Sequence, residues 1–368
     1  MRYALLGCGR IGIAAALALA SRSETRVLTL IDRDPHSVHG LVARLSGSHA
    51  ELRACAVEEG DPASLRRALE GADALAVAAP WRATRGTLEV AKSLRLPLVS
   101  VARPPRRPPL PPNRRAGHAL PPALLACGLQ PGLTEILALA ALASLPAATR
   151  LEIRCGCLPA GPLRSSPAAW FGEQPALADR SAFAIRDGLA CVVRRFSEVE
   201  QVEVEGVGSV EAFHDGMLPW LAEDPRLARV GEVTHKALAP HGFAEAARAL
   251  QDGAAYEQHP APPVSPAAAE ADEGATVLQV RATVEGSGEQ AELSLLERGD
   301  PAQGLGSLAR TAGFTLACAT AMLAEGSIDG HGWLQPEQVF TGPALELLLA
   351  ELALLGVAVR AERSAAPS

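Results

Sequence analysis

Arg2-Tyr3-Ala4-Leu5-Leu6-Gly7-Cys8-Gly9-Arg10-Ile11-Gly12 is the stretch that decides the fold. Arg2–Leu6 reads as a short buried strand, and Gly7-Cys8-Gly9-Arg10-Ile11-Gly12 opens an Ala/Leu-rich helix over Ile11–Arg22. A second strand, Val27 to Ile31, ends at Asp32, twenty residues after the third glycine. Strand, glycines, helix, strand and terminal acid stand in the register of a dinucleotide-binding βαβ unit. Gly7 is expected to permit the tight turn, Gly9 to leave room for a pyrophosphate, and Gly12 to let helix and strand pack closely. Arg10 and Ile11 open the helix, whose free N–H groups and positive dipole end suit phosphates. Asp32 would accept hydrogen bonds from a ribose 2′-OH and repel a 2′-phosphate, so NAD is expected before NADP. Arg33 beside it tempers that preference, since an arginine there can take the phosphate.

A chain of 368 residues is long for one core, so two domains are expected. Net charge is −7 with no basic block, and aromatic residues make up only 4%, which argues against a nucleic-acid partner. The apolar start is already spoken for as strand and nucleotide loop rather than a leader peptide. The run Ile136–Leu145 is too short to span a bilayer. No membrane association and a cytoplasmic location are therefore expected. The seven cysteines show no disulfide rhythm. Cys155 and Cys157 would share one face of a strand, but no second His or Cys pair completes a metal site, and none is expected.

Along the first third, strands and helices alternate. Arg53–Ala56 is a short strand. Asp61-Pro62 supplies an N-cap and a first-turn proline for a helix to Leu69. Ala74–Ala79 is a continuous apolar run, as a parallel strand buried on both faces should be, and it stops at Pro80. A further helix leads to Leu98–Val101. The proline- and arginine-rich stretch Pro104–Pro112 reads as a surface loop, and Ala123–Ala126 as another core strand. From Arg150 short strands follow one another: Arg150–Cys157, Phe183–Arg186, Cys191–Arg195, Val199–Val204, Val210–Phe213, Thr276–Val284 and Gln290–Leu296. They predict a mixed or antiparallel sheet with one covered and one polar face. Tyr256–Gly274 reads as a loop. Leu305–Ala324 and Pro343–Leu355 are apolar helices, and Val357–Arg360 is expected to close as a strand. The predicted architecture is α/β: a Rossmann doubly wound parallel sheet from residues 1–126 and 305–368, around a substrate-binding and dimerisation α+β domain over 127–304.

At Cys127-Gly128-Leu129-Gln130-Pro131-Gly132-Leu133-Thr134 the sequence resembles the saccharopine dehydrogenase-like family, with a pattern nearest lysine ε-dehydrogenase (lysine 6-dehydrogenase). Further matches follow in the family's order. Cys155-Gly-Cys-Leu-Pro159 resembles its Gly-Gly-Leu-Pro strand end, Asp187-Gly188 its hairpin, and Gly208–Phe213 its Gly-x-Glu-Ala-Phe segment. Arg310-Thr311-Ala312-Gly313-Phe314 resembles its Arg-Thr-Thr-Gly-Phe helix, and Pro336–Val339 its Pro-Glu-x-Val segment. The resemblance implies a nicotinamide-dependent homodimeric enzyme that oxidises or forms a carbon–nitrogen bond of a small amine or amino acid. It also places Arg310 and Thr311 against the nicotinamide amide. The family's Thr-x-Arg-Tyr-Pro-Gly-His segment departs here to Thr234-His-Lys236-Ala-Leu-Ala-Pro-His241, with Lys236 in the arginine's place. Its Glu-Ala-Phe-Tyr tyrosine becomes His214.

Hydride transfer at the carboxyl ends of the parallel strands puts Ala79, Pro80, Cys127 and Gly128 beside the cofactor. Cys127 is read as a small wall residue or a reactive thiol. Amine oxidation needs a base near neutral pKa, and His214 is the first candidate, with Asp215 beside it. Lys236 is read as a carboxylate anchor or a surface lysine. His241 is read as a helix cap or a participant in the chemistry. Glu135 and Glu211 carry the same ambiguity between structure and function. The competing readings are a saccharopine-, opine- or polyamine-type secondary-amine dehydrogenase, a sugar or inositol dehydrogenase, and an NAD-binding regulatory protein without catalysis. Against the sugar enzymes, Ala102-Arg103-Pro104 stands where they carry Glu-Lys-Pro.

Overall fold

The computed structural model describes residues 1–105, 120–159, 181–216, 220–251 and 273–364. It divides into two compact units, residues 1–136 with 308–358 and residues 137–307 with the chain from 359 onward.

The first unit holds β1 (Arg2–Leu6), α1 (Arg10–Ser21), β2 (Val27–Asp32), α2 (Pro35–Arg44), β3 (Glu51–Ala56), α3 (Pro62–Leu69), β4 (Ala74–Val77), α4 (Trp81–Leu94), β5 (Leu98–Ser100) and β6 (Ala123–Leu124). Helix α5 (Leu133–Ser144) starts in it, and β15 (Trp333–Leu334) and α9 (Pro343–Leu354) return to it. All seven strands run parallel, in the order β15-β6-β5-β4-β1-β2-β3. Every residue of β4 is buried, as the unbroken apolar run requires of a strand covered on both faces. Two helix starts are fixed by aspartate side chains, of which Asp61 was expected from the sequence. Asp34 accepts from the His36 and Ser37 amides at 3.0 and 3.2 Å, and Asp61 from those of Ala63 and Ser64 at 3.1 and 3.0 Å. The strand order reverses between β1 and β4, and ligands bind such sheets outside the carboxyl ends at that reversal.

The second unit is built on a nine-stranded sheet. Its members are β7 (Arg150–Pro159), β8 (Ala182–Arg186), β9 (Leu189–Val193), β10 (Glu200–Val204), β11 (Gly208–His214), β12 (Glu232–Ala239), β13 (Glu273–Thr283), β14 (Gln290–Arg298) and β16 (Arg360–Ser364). The order is β10-β11-β12-β7-β13-β14-β16, with the β8–β9 hairpin attached to β12. Only the β12–β7 pair is parallel. Leu151, Ile153, Leu278, Val280 and Ala282 bury one face. Directly paired residues share a face, so the register puts His214, Lys236, Arg154 and Gln279 in one row on the opposite face, beside the buried cluster of Ala212, Leu238 and Val277.

Four features depart from the sequence expectation. The Thr234–His241 segment, compared above with the family's Thr-x-Arg-Tyr-Pro-Gly-His segment, is mostly strand β12, which was not among the expected strands. β15, two residues long, adds a seventh strand to the parallel sheet. The last strand begins at Arg360 rather than ending there, and it pairs with β14, so the chain from 359 belongs to the second unit, not the first. The boundary at the other end falls inside α5, ten residues beyond the expected 126/127 division. Residues 106–112 of the proline-rich stretch and 256–272 of the expected loop lie outside the described residues. Helix α7 (Ser307–Ala324) is long and apolar enough to cross a membrane, yet 89% of it is buried within the protein.

Candidate functional site

The glycine turn leaves an open cradle at the start of α1. Gly7 has φ +99°, and a Cβ there would lie 2.4 Å from the Ala78 carbonyl oxygen, on the strand across the switch point. A Cβ on Gly12 would lie 1.8 Å from the Gly7 carbonyl oxygen. A Cβ on Gly9 would meet nothing within 4 Å. Gly7 and Gly12 therefore hold the turn together, while Gly9 leaves open space at the N-terminus of α1, where no side chain caps the helix. The residues present fit a bound pyrophosphate on Gly9, Arg10, Ile11 and Gly12. Asp32 closes β2 and faces the same turn: its carboxylate accepts from the Cys8 amide at 2.7 Å and the Asp34 amide at 3.0 Å. Cys8 is buried beside it, and that burial pushes its thiol up to about 12.

Ala79 and Pro80 follow β4, and Pro80 is exposed at the mouth of α4. Past β6 the chain makes a knot of close contacts. Ala126 takes φ +59°, the Cys127 amide donates to Ser100 at 2.9 Å, and the Gly128 amide donates to Pro131, whose peptide bond is cis. A Cβ on Gly132 would lie 2.2 Å from the Gly128 carbonyl oxygen. Glu135 accepts from the Gly132 amide at 2.7 Å and from the Thr134 hydroxyl, and so fixes this loop from below. Burial raises its carboxyl above the usual range. Cys127 is fully enclosed, and burial drives its thiol far up, which places it as wall rather than as a thiolate nucleophile.

In the second unit the structure brings His214, Asp215 and Lys236 to one end of β11 and β12. Arg195–Glu198 runs alongside them, tied by Phe196 N–H to His214 O at 2.8 Å and His214 N–H to Ser197 O at 3.1 Å. His214 is buried. Its Nε2 lies 3.0 Å from a Glu198 carboxylate oxygen, and its Nδ1 has no hydrogen-bond partner. Burial, opposed by Glu198, lowers its pKa, and the nearby Lys236 and Arg186 charges add to the lowering. Glu198 has φ +50° and is held below the usual range, first by its pairing with Arg186 and then by His214. Lys236 donates to the Glu198 carbonyl at 2.9 Å and lies 3.5 Å from the Glu200 carboxylate. Its charge is thus met by the protein itself. Asp215 pairs with the buried Arg195, whose guanidinium lies 4.7 Å over the Phe196 ring.

Other candidates are placed elsewhere. His241 is exposed, and the cap of α6 (Phe243–Gln251) is Glu211, which accepts from the Gly242 amide at 2.9 Å and from the Ala244 amide. Arg310 donates to the Leu355 carbonyl at the end of α9 at 3.1 Å and stacks 5.1 Å over Phe314, and Thr311 is fully buried. Arg310 thereby binds an orphan carbonyl at a helix C-terminus. Among the described residues no group of three or more His, Cys, Asp or Glu forms a metal cluster.

No family model matches the chain, and no curated protein matches it in sequence. Among solved structures, apo saccharopine dehydrogenase (L-Glu forming) from Saccharomyces cerevisiae superposes with a TM-score of 0.74 at 16% identity, over 99% of this chain and 100% of that one. This chain has the saccharopine dehydrogenase fold. An oxidoreductase from Agrobacterium radiobacter in complex with NAD+, L-tartaric acid and magnesium aligns at 0.41, with 14% identity over 97% and 95% of the two chains. A myo-inositol dehydrogenase from Corynebacterium glutamicum also aligns at 0.41, with 11% identity over 99% of each.

Within the saccharopine dehydrogenase fold, the Arg310–Phe314 motif gains a physical meaning. A Cβ on Gly313 would lie 2.5 Å from the Ile11 carbonyl oxygen and 2.7 Å from Ala14 Cβ. Gly313 therefore lets α7 press against the first turn of α1, the turn that follows the open space at Gly9. Sequence reasoning missed this contact, and it missed Glu198 and Arg195. Neither of these two sits in a motif, and both act through backbone turns that only the folded sheet sets.

Proposed function

We propose that this chain is a nicotinamide-dinucleotide-dependent oxidoreductase that works at a carbon–nitrogen bond of a small amine or amino acid. The observation that carries the reading is the open Gly9 cradle at the β1/β4 reversal of a chain that superposes end to end on a saccharopine dehydrogenase. Asp32, at the end of β2, supports NAD as the dinucleotide. When bound, the nicotinamide supplies the redox chemistry by taking or giving a hydride. The chain's own part is to hold the phosphates on Gly9–Gly12, to wall the site with Ala79, Pro80, Cys127 and Gly128, and to move a proton. For the last of these we assign His214. Burial lowers its pKa and so favours the neutral imidazole, Glu198 meets Nε2, and Nδ1 is left without a hydrogen-bond partner.

Oxidative deamination of a terminal amine, in the manner of lysine ε-dehydrogenase, is the first form of this reaction, and oxidation of a secondary amine of saccharopine type is the other. The enzyme is proposed to act as a homodimer in the cytoplasm. Incubation with NAD and a panel of lysine, ornithine, diamines, ω-amino acids and saccharopine, followed by absorbance at the NADH band, tests the proposal. Turnover with at least one amine is expected. Nucleotide binding without turnover on any of them, in either direction, overturns the enzymatic part. It would favour a regulatory nucleotide-binding protein, the reading that the internally satisfied Lys236 supports.

A further inference from the structure

We infer that Glu59 sets the dinucleotide preference by clasping two arginines that otherwise form a 2′-phosphate site. This rests on the dinucleotide reading above and names the specificity device within it. Val57 N–H donates to the Asp32 carbonyl at 2.9 Å, so the loop after β3 runs directly beside the end of β2. Gly60 turns it at φ +93°, and Asp61 anchors its far end as the cap of α3. Glu59, between these two anchors, reaches two cations. Arg82 Nε, in the first turn of α4, lies 2.8 Å from one carboxylate oxygen, and Arg33 Nη1 lies 4.0 Å from the other.

Arg33 follows Asp32 directly, and α4 begins three residues beyond β4, the strand across the sheet reversal. Three elements therefore bring two guanidinium groups to the rim where a ribose on Asp32 would present its 2′ position. Both side chains are otherwise solvated, Arg33 at 74% and Arg82 at 87% exposure, and the less exposed Glu59 (35%) holds them together. With Glu59 and Asp32 ionised the four side chains sum to zero charge, a rim suited to a neutral ribose hydroxyl. Without Glu59 they sum to +1, with two planar donor forks able to close on a phosphate. Asp32, each of whose oxygens accepts one backbone amide, keeps a lone pair for a ribose hydroxyl, and Glu59 adds to its effect by occupying the two cations.

The test is calorimetric titration of the full chain with NAD and with NADP, for the wild type, Glu59→Gln, and Glu59→Gln combined with Arg33→Gln and Arg82→Gln. The wild type is expected to bind NAD more tightly. Glu59→Gln should raise the ratio of NADP to NAD affinity by about tenfold or more, since two charge-assisted contacts become available. The triple variant should lose that gain, and 0.5 M salt should shrink it because the pairs are exposed. An unchanged ratio in Glu59→Gln, with NAD still bound, overturns the clasp alone. A wild type that already prefers NADP also overturns it. A wild type that binds neither nucleotide overturns the dinucleotide reading and the clasp with it.

Discussion

At the scale of single residues, the three turn glycines have separate jobs that mutation will separate. Gly9→Ala adds a methyl into open space at ordinary φ −77°, so thermal stability should stay within about 2 °C while NAD affinity falls at least about tenfold, read by calorimetry. Gly12→Ala puts the methyl 1.8 Å from a backbone oxygen, and the variant should lose about 1–3 kcal/mol of stability as well as binding. His214 gives a pH prediction. Its folded pKa lies below the unfolded value of about 6.5, so the unfolded chain binds the extra proton. Stability is then fully present above pH 6.5 and is lost as pH falls from there toward the lowered pKa. His214→Gln should flatten the decline of melting temperature between pH 7.5 and 5.5. A decline of unchanged steepness would show that another group carries it. The glycine turn and Asp32 were legible in the sequence because their roles depend on local spacing. Glu198 and Glu59 were not, because each gains its partners from strands or helices distant along the chain.

At the scale of elements, the contact between α7 and α1 couples packing to the cradle. Gly313→Ala should push α1 at Ile11 and lower stability, by about 1–3 kcal/mol, and NAD affinity together, read by denaturant unfolding and calorimetry. A loss of stability with NAD affinity unchanged would show that the first turn of α1 tolerates the shift. Glu211→Ala removes the cap of α6 and should cost about 1 kcal/mol in denaturant unfolding. Elements with strong local marks were readable: the buried run of β4, and the capped start of α3. β12 was hidden because the lysine and histidine in Thr234–Ala239 break the alternation that marks a half-buried strand, while in the sheet Lys236 is satisfied by Glu198 and Glu200. β15 was hidden because two residues carry no period at all.

At the scale of the whole molecule, the order of the two units is legible along the chain, but their last exchange of chain is not. The parallel alternation and the later run of short strands marked the units. That β16 crosses back to pair with β14 depends on contacts about seventy residues apart, Gln290 with Ser364 and Ser294 with Arg360, and no local pattern reports them. A chain ended before Arg360 leaves the ladder groups of β14 unpaired along one edge. Such a chain should still bind NAD. By size-exclusion chromatography with light scattering it should run as larger species than the full chain, and identical elution would show that the edge needs no cover.

The same return strand bears on synthesis. The first unit needs 308–358 and the second needs β16, so neither can finish folding while the ribosome is still making residue 300. The glycine cradle at the front of the chain must therefore wait, with α1 lacking its α7 neighbour, until almost everything else has been translated. Nascent chains of this protein are expected to depend on chaperone holding through most of elongation, because domain-by-domain folding from the N-terminus is closed to them.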